Sequence, residues 1–191
     1  RRPVSFLFNH GTLWLATVTS TATWILLLWI NWSWMQEGGW KRIFTTLAGV
    51  HLFRHVGLVA LSPTHVDPAL GLPFSYLAQV GYGDWLANVF AIVAIFAVRN
   101  DWRSATALSW IFIVVATADT LNAGPNFILA ITDQNNIGAM GWLILTWYVP
   151  AIAITEGLII WQLVKRARRP NDARVEALIQ AQPAMSGAPR V

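Results

Sequence analysis

The chain has 191 residues, 55% of them hydrophobic and only 12% charged, where a soluble domain carries about 25% charged residues. It contains no cysteine, which removes disulfides, thiolate metal sites, iron–sulfur ligation and cysteine nucleophiles together. The formal charge of +4 is carried at the ends of apolar stretches and not on one basic face, so it marks topology and excludes nucleic acid as a partner.

These properties predict an all-α integral membrane bundle of about five helices with about 20 residues each. Its expected divisions are an interfacial segment at 1–10, one transmembrane bundle at 11–164, and a cytoplasmic basic flank with a flexible tail at 165–191. The chain starts Arg1-Arg2-Pro3 without Met, which leaves room for a preceding segment, and nothing has the layout of a cleavable signal peptide. Residues 1–10 are too short to span, and Phe6 and Phe8 fit the membrane interface. His10 and His65 are expected there too.

Span 1 is predicted from Gly11 to Trp32. Its threonines and serines can bond their own helix carbonyls, Trp29, Trp32 and Trp34 fit an aromatic belt, and Trp24 falls farther from the ends, where an aromatic face inside a cavity can bind a flat hydrophobe. Glu37-Gly38-Gly39 reads as a turn, followed by Lys41 and Arg42. Span 2, Ile43 to Ser62, carries His51, Arg54 and His55. The proline-rich stretch from Pro63 to Tyr76 reads as a stiff loop able to fold back as a lid. Span 3 runs from Leu77 to Val98 with Asp84 and Asn88, and Arg99, Asp101 and Arg103 form a short turn. Span 4 runs from Ser104 to Gly124 with Asp119 and Asn122. A linker follows, then span 5 from Gly141 to Val164 with Trp147, Tyr148, Pro150 and Glu156. An abrupt stop is expected at Lys165 to Pro170, with one short helix over 171–180 and a disordered remainder.

Basic residues cluster after spans 1 and 3 and at the C-terminal flank. The positive-inside rule then gives the N-terminus out and the C-terminus in. The localisation expected is integral membrane, of the bacterial plasma-membrane type. No internal repeat is visible, and an odd span number argues against an inverted-repeat transporter.

Ionisable residues inside a span are costly and mark function. Counted from the inner ends, Arg54 lies roughly 16 Å deep and Glu156 roughly 14 Å, with Asp84 and Asp119 at roughly 22 Å. One arginine, three carboxylates and two histidines therefore occupy adjacent layers. At α-helical spacing His51, Arg54, His55 and Leu58 share a face. The bland reading of Arg54 is a structural salt bridge with Glu156 or Asp119 that fixes register. Three acids for one arginine leave a surplus, and a carboxyl resting neutral in low dielectric is a proton donor. Glu156 as partner and Asp119 as spare acid is the preferred split.

His51 and His55 at i, i+4 resemble two metal ligands, but the sequence HLFRH is not HExxH, and Arg54 between them opposes a cation. No metal is expected. GYG at Gly81 to Gly83 lacks the TVGYG context of a potassium filter. Nucleotide, serine-hydrolase and zinc-protease motifs are absent.

The function expected first is an enzyme that transfers protons on a lipophilic substrate, by isomerisation or cyclisation. Asp119, Glu156, Arg54 and Asp84 would carry the chemistry. His51, His55, Asn88, Trp110, Asn122, Trp147 and Tyr148 would line the ligand site. In general architecture, a five-helix membrane bundle with buried acids and aromatics resembles the sterol isomerase group. The alternatives are a non-catalytic protein binding haem or pigment through one neutral histidine, a small subunit of a membrane complex, or a small transporter. No cofactor is expected on the first reading. The partners are the bilayer and a lipophilic small molecule, with the oligomeric state open.

Overall fold

The structure is a computed structural model that describes residues 3–62, 73–134 and 138–181, with side chains for 11–59, 61–62, 73–123 and 141–168. The described residues are helical, and four helices are long and apolar enough to cross a membrane: Gly11–Glu37, Phe74–Arg99, Ala105–Ala123 and Gly141–Arg168. The chain is a helical membrane protein. It divides into two compact units, Arg1–Ile159 and Ile160–Val191, and every candidate site residue falls in the first.

Helix α1, Pro3–Glu37, is continuous through the segment expected to lie apart at the interface. Proline suits its first position because an N–H there has no helical partner. The helix ends at the expected turn, where Gly39 takes φ +63, a left-handed conformation that glycine adopts without steric cost. Its hydroxyls behave as expected: Thr17 donates to the Leu13 carbonyl at 2.8 Å and Thr21 to that of Thr17 at 2.7 Å. Only 6% of its most apolar window is fully buried, and its packing is on the π segment and α2.

Helix α2, Gly39–Val50, is followed directly by a 3-10 segment, His51–Leu61. Together they form the second expected span, at roughly 1.5 Å and 2.0 Å rise per residue respectively. The change of helix type is what the sequence does not announce, and it rearranges the site. Residues 63–72, with the lid, His65 and Asp67, lie outside the described residues, as does the side chain of His10.

Helix α3 is Phe74–Arg99 and α4 is Ala105–Gln134. The turn between them is the expected one, with Asp101 at φ 54. Lys41 Nζ meets Asp101 Oδ2 at 2.5 Å, which puts the α1–α2 and α3–α4 turns at one end of the bundle. Ala87, Ala91 and Ala94 of α3 are fully buried. At i, i+4, i+7 they make one small-residue face that admits close helix packing, and α3 packs most extensively on the 3-10 segment and on α4.

Two expected ends are moved. Helix α4 continues ten residues past Gly124 to Gln134, so most of the expected linker is helical. Its apolar run, Phe127 to Ala130, has no reason to break the helix where water cannot satisfy freed backbone groups. The last run is helical from Gly138 without interruption: α5, Gly138–Leu143, a π segment, Ile144–Tyr148, and α6, Val149–Ala181. The expected stop at Lys165 to Pro170 and the separate helix at 171–180 are one helix. Ala, Arg, Glu, Leu and Gln after the proline are strong helix formers. In the second unit Lys165 Nζ sits 5.3 Å over the Trp161 ring. The rest of the tail, 182–191, lies outside the described residues.

Candidate functional site

A 3-10 helix has three residues per turn, so side chains at i and i+3 eclipse. The segment after Val50 therefore presents three files. His51, Arg54 and Gly57 form one. Phe53 and Val56 form a second. Leu52, His55, Leu58 and Leu61 form a third. The shared face expected for His51, Arg54, His55 and Leu58 is corrected accordingly: His51 is 0% and Arg54 1% exposed, whereas His55 is exposed.

Arg54 is the centre of the first file. Its Nε donates to Asp84 Oδ1 at 2.8 Å, Nη1 to Glu156 Oε1 at 2.9 Å, and Nη2 to Asp119 Oδ2 at 2.5 Å. Nη1 and Nη2 also reach Thr120 Oγ1 at 3.3 and 3.2 Å. These contacts account for all five N–H donors of a guanidinium. Thr120 in turn donates to Glu156 Oε1 at 2.9 Å. Arg54 does not pair with one acid and leave a spare. It binds all three, each from a different helix, and the side chains of Asp84, Asp119 and Glu156 are 20%, 8% and 5% exposed. Asp84 is the most open of the three.

Glycines make this convergence possible. A Cβ on Gly57 would overlap the Asp84 carboxylate, and one on Gly83 would overlap that of Asp119. A Cβ on Gly81 would come within 3.2 Å of the Gly57 carbonyl oxygen. The glycines of the GYG stretch thus serve helix contact and carboxylate packing.

His51 lies one 3-10 turn below Arg54. Its Nε2 is 3.1 Å from Thr155 Oγ1, whose own proton goes to the Ala151 carbonyl at 2.8 Å. Nε2 is therefore the protonated nitrogen, and Nδ1 is buried with no hydrogen-bond partner among the described residues. The ring stands edge-on to Phe112 at 5.1 Å. His51 is a packed core residue and not part of a ligand-accessible wall.

The second file opens on a cleft of about 340 Å³ walled by Trp24, Val50, Phe53, Val56, Trp147 and Tyr148 among others. That size lies at the lower end of small-molecule sites. The π segment shapes it. Trp147 and Tyr148 fall at its end, just before Pro150, and the Trp147 carbonyl takes the indole N–H of Trp24 at 3.0 Å. The two indole rings are 5.4 Å apart. Tyr148 donates to the Val50 carbonyl at 3.2 Å, which ties the π segment to the residue before the 3-10 segment. A second cleft of about 440 Å³, between α1 and the α5–π run, is lined by Thr19, Ser20, Thr23, Thr146 and Trp147.

The four residues expected to carry chemistry are thus brought together, and Trp147 and Tyr148 line a cleft whose walls include none of the four. Trp110 borders neither cleft. Asn122 lies on the exposed side of α4. Asn88 is bound into the seam between α3 and the 3-10 segment, donating to the Leu52 carbonyl at 2.6 Å. Sequence reasoning missed Thr120, Thr155, Gly57, Gly83 and the cleft role of Phe53. Thr120 adjoins Asp119, and Gly57 stands three residues from Arg54, but that spacing is informative only once the helix is known to be 3-10. No group of three His, Cys, Asp or Glu among the described residues is placed to hold a metal ion.

Residues 12–164 match the model of a family described as Domain of unknown function (DUF8737). The match takes in the whole charged centre and both clefts, and the chain belongs to this family. No curated protein and no solved structure matches the chain.

Proposed function

We propose that this member of the DUF8737 family is a membrane-embedded enzyme that transfers protons on a lipophilic substrate, as in an isomerisation or a cyclisation. The observation that carries the reading is a single guanidinium shared by three carboxyls inside a membrane span. Three ionised carboxylates around one cation leave negative charge uncompensated in low dielectric, and shared protons relieve it. A carboxyl holding a proton is a general acid, and an ionised neighbour is a general base.

Isomerisation uses both. One carboxylic acid gives its proton to a substrate carbon, and the resulting cation loses a proton from an adjacent carbon to a neighbouring carboxylate. The proton count of the centre is restored, and no oxidant or reductant is consumed. Asp84 and Asp119, the more open acids, exchange protons. Glu156, held also by Thr120, anchors Arg54. The faces of Trp24, Phe53, Trp147 and Tyr148 suit the cationic stage.

The test begins by extracting apolar molecules that copurify with the full chain and identifying them by mass spectrometry. Turnover of that molecule is then compared across Asp84→Asn, Asp119→Asn and Glu156→Gln. Loss of an acid–base group is expected to lower turnover by about 10²-fold or more in at least one aspartate variant. Unchanged turnover in all three variants, or a folded protein that carries and converts no apolar molecule, overturns the proposal.

A further inference from the structure

The cleft of about 440 Å³ between α1 and the α5–π run is lined by none of Arg54, Asp84, Asp119 and Glu156. Thr12, Ala16, Thr19, Ser20 and Thr23 form its α1 wall. They recur at i, i+4, i+7, i+8 and i+11, which is one stripe of an α-helix. Trp142, Leu143, Thr146 and Trp147 form the facing wall. The volume falls within the range of small-molecule sites.

Ser20 is the residue that packing does not explain. A serine or threonine inside a membrane helix can satisfy itself on the carbonyl four residues back. Thr17, Thr21 and Thr23 of the same helix all do so. Ser20 does not. It is 5% exposed, and its Oγ has no hydrogen-bond partner among the described residues. A hydroxyl buried without a partner is costly, and an alanine would fill the same place without that cost. Ser20 lines the cleft, and a turn about one side-chain bond brings its Oγ to face it.

The lining restricts what the hydroxyl could meet. No residue of either wall is charged, so a carboxylate or phosphate would enter low dielectric without a counter-charge. Thr23 gives its proton to the Thr19 carbonyl at 2.9 Å, and Thr146 gives its own to the Trp142 carbonyl at 2.8 Å. With their protons committed, both can offer the cleft only lone pairs. Ser20 keeps a donor and an acceptor. A group that serves all three must donate as well as accept, which an alcohol does and an ether or ketone does not. Depth adds a second condition. Thr19 to Thr23 lie about 12–18 Å along α1 from Gly11, where the span begins. In a hydrocarbon core of about 30 Å that is beyond the reach of lipid headgroups. The hydroxyl must therefore arrive on an apolar body. The α1 wall is about 16 Å long from Thr12 to Thr23, which suits an elongated body, and Leu15, Ala16 and Trp142 give it apolar contacts.

We infer that this cleft binds a neutral lipophilic alcohol, its hydroxyl at Ser20, Thr23 and Thr146 and its elongated apolar body against Ala16 and Trp142. The site does not rest on proton-transfer chemistry at the carboxylate centre, and its failure would leave that reading standing.

Three probes isolate the hydroxyl: all-trans-retinol, its methyl ether and retinoate share one elongated polyene and differ at the polar end. Each is titrated into the purified full chain in phosphatidylcholine vesicles, and quenching of tryptophan fluorescence is followed. Retinol should saturate at one molecule per chain and bind about 10-fold more tightly than the ether, the equivalent of one hydrogen bond. Retinoate should bind more weakly than retinol. Ser20→Ala should weaken retinol by about 5-fold or more and leave the ether unchanged. The same variant should unfold at no lower a denaturant concentration than the parent, since it removes an unpaired buried hydroxyl. A structural role for Ser20 would give the opposite pattern. Ala16→Phe should fill the cleft and abolish saturable quenching; if it folds poorly, the Ser20→Ala comparison still decides. Equal affinity for retinol and ether would mean that any apolar chain, phospholipid included, fills the cleft. That result, no saturable quenching by retinol, or unchanged retinol affinity in Ser20→Ala overturns the inference.

Discussion

Replacing Gly83 with alanine should destabilise the bundle even though it improves local helix propensity. In α3 the exchange gains about 1 kcal/mol of intrinsic preference. Against this, the new Cβ would lie 2.8 Å from Asp119 Cγ and nearer still to Oδ1. Asp119 is not a loose chain end, since its other oxygen is bound to Arg54 at 2.5 Å. If the carboxylate swings away, a charged hydrogen bond is lost at about 1.5–3 kcal/mol. If the helices part instead, overpacking costs about 1–3 kcal/mol. The net loss expected is about 0.5–2 kcal/mol by the first route and up to about 2 kcal/mol by the second. The assay is unfolding of the full chain in mixed micelles with increasing anionic detergent, followed by the fluorescence of its 12 tryptophans. Gly49→Ala is the control, because its Cβ would meet nothing within 4 Å, and it should be neutral or stabilising. Adding Asp119→Ala to Gly83→Ala should remove the steric part of the loss. A Gly83→Ala protein at least as stable as the parent would refute the close approach of α3 and α4 at this point.

Arg54→Met should cost about 3–5 kcal/mol in the same assay, because it strands three buried carboxyls without their cation. Arg54→Lys should recover less than half of that, since a lysine offers a point charge where five directed donors are used; full rescue by lysine would show that charge alone matters. The chain has no cysteine, so single-cysteine variants in vesicles report cleanly on a lipid-soluble thiol reagent. Cysteine at 53 or 55 should react and cysteine at 51 should not. If 55 is protected along with 51, the segment is an α-helix and the three-file description fails.

The layer of the charged groups was legible in the sequence. Helical rise alone put Arg54 level with Glu156 and about one turn from Asp84 and Asp119, and an arginine side chain spans that difference. Depth counting could not supply angle. With α-helical spacing His55 falls beside His51 and Arg54; with three residues per turn it rotates out of the file, and the metal-pair reading of HLFRH goes with it. The glycines were equally opaque, because what makes Gly57 and Gly83 necessary is a carboxylate arriving from another helix. Element ends failed where the rule used was a composition change. The polar half of the stretch after Gly124 and the basic run before Pro170 both look like boundaries, yet helix persists through them.

Eleven residues is long for a 3-10 geometry that rarely holds beyond about 3–4, so the segment must be held by what it touches. The ties are specific. Asn88 holds the Leu52 carbonyl and Tyr148 holds that of Val50. Gly81 and Gly57 let the backbones of α3 and the segment approach, and the Arg54 guanidinium is bound from three other helices. All but the first of these contacts also build the site: the second closes the aromatic cleft, and the last two assemble the carboxylate centre. A segment relaxed to α-helix would rotate Gly57 off the Asp84 carboxylate and carry His55 toward the interior. The unusual backbone and the candidate site are therefore the same feature, since the 3-10 turn is what assigns acid centre, cleft and the exposed His55 to three separate faces of one short span.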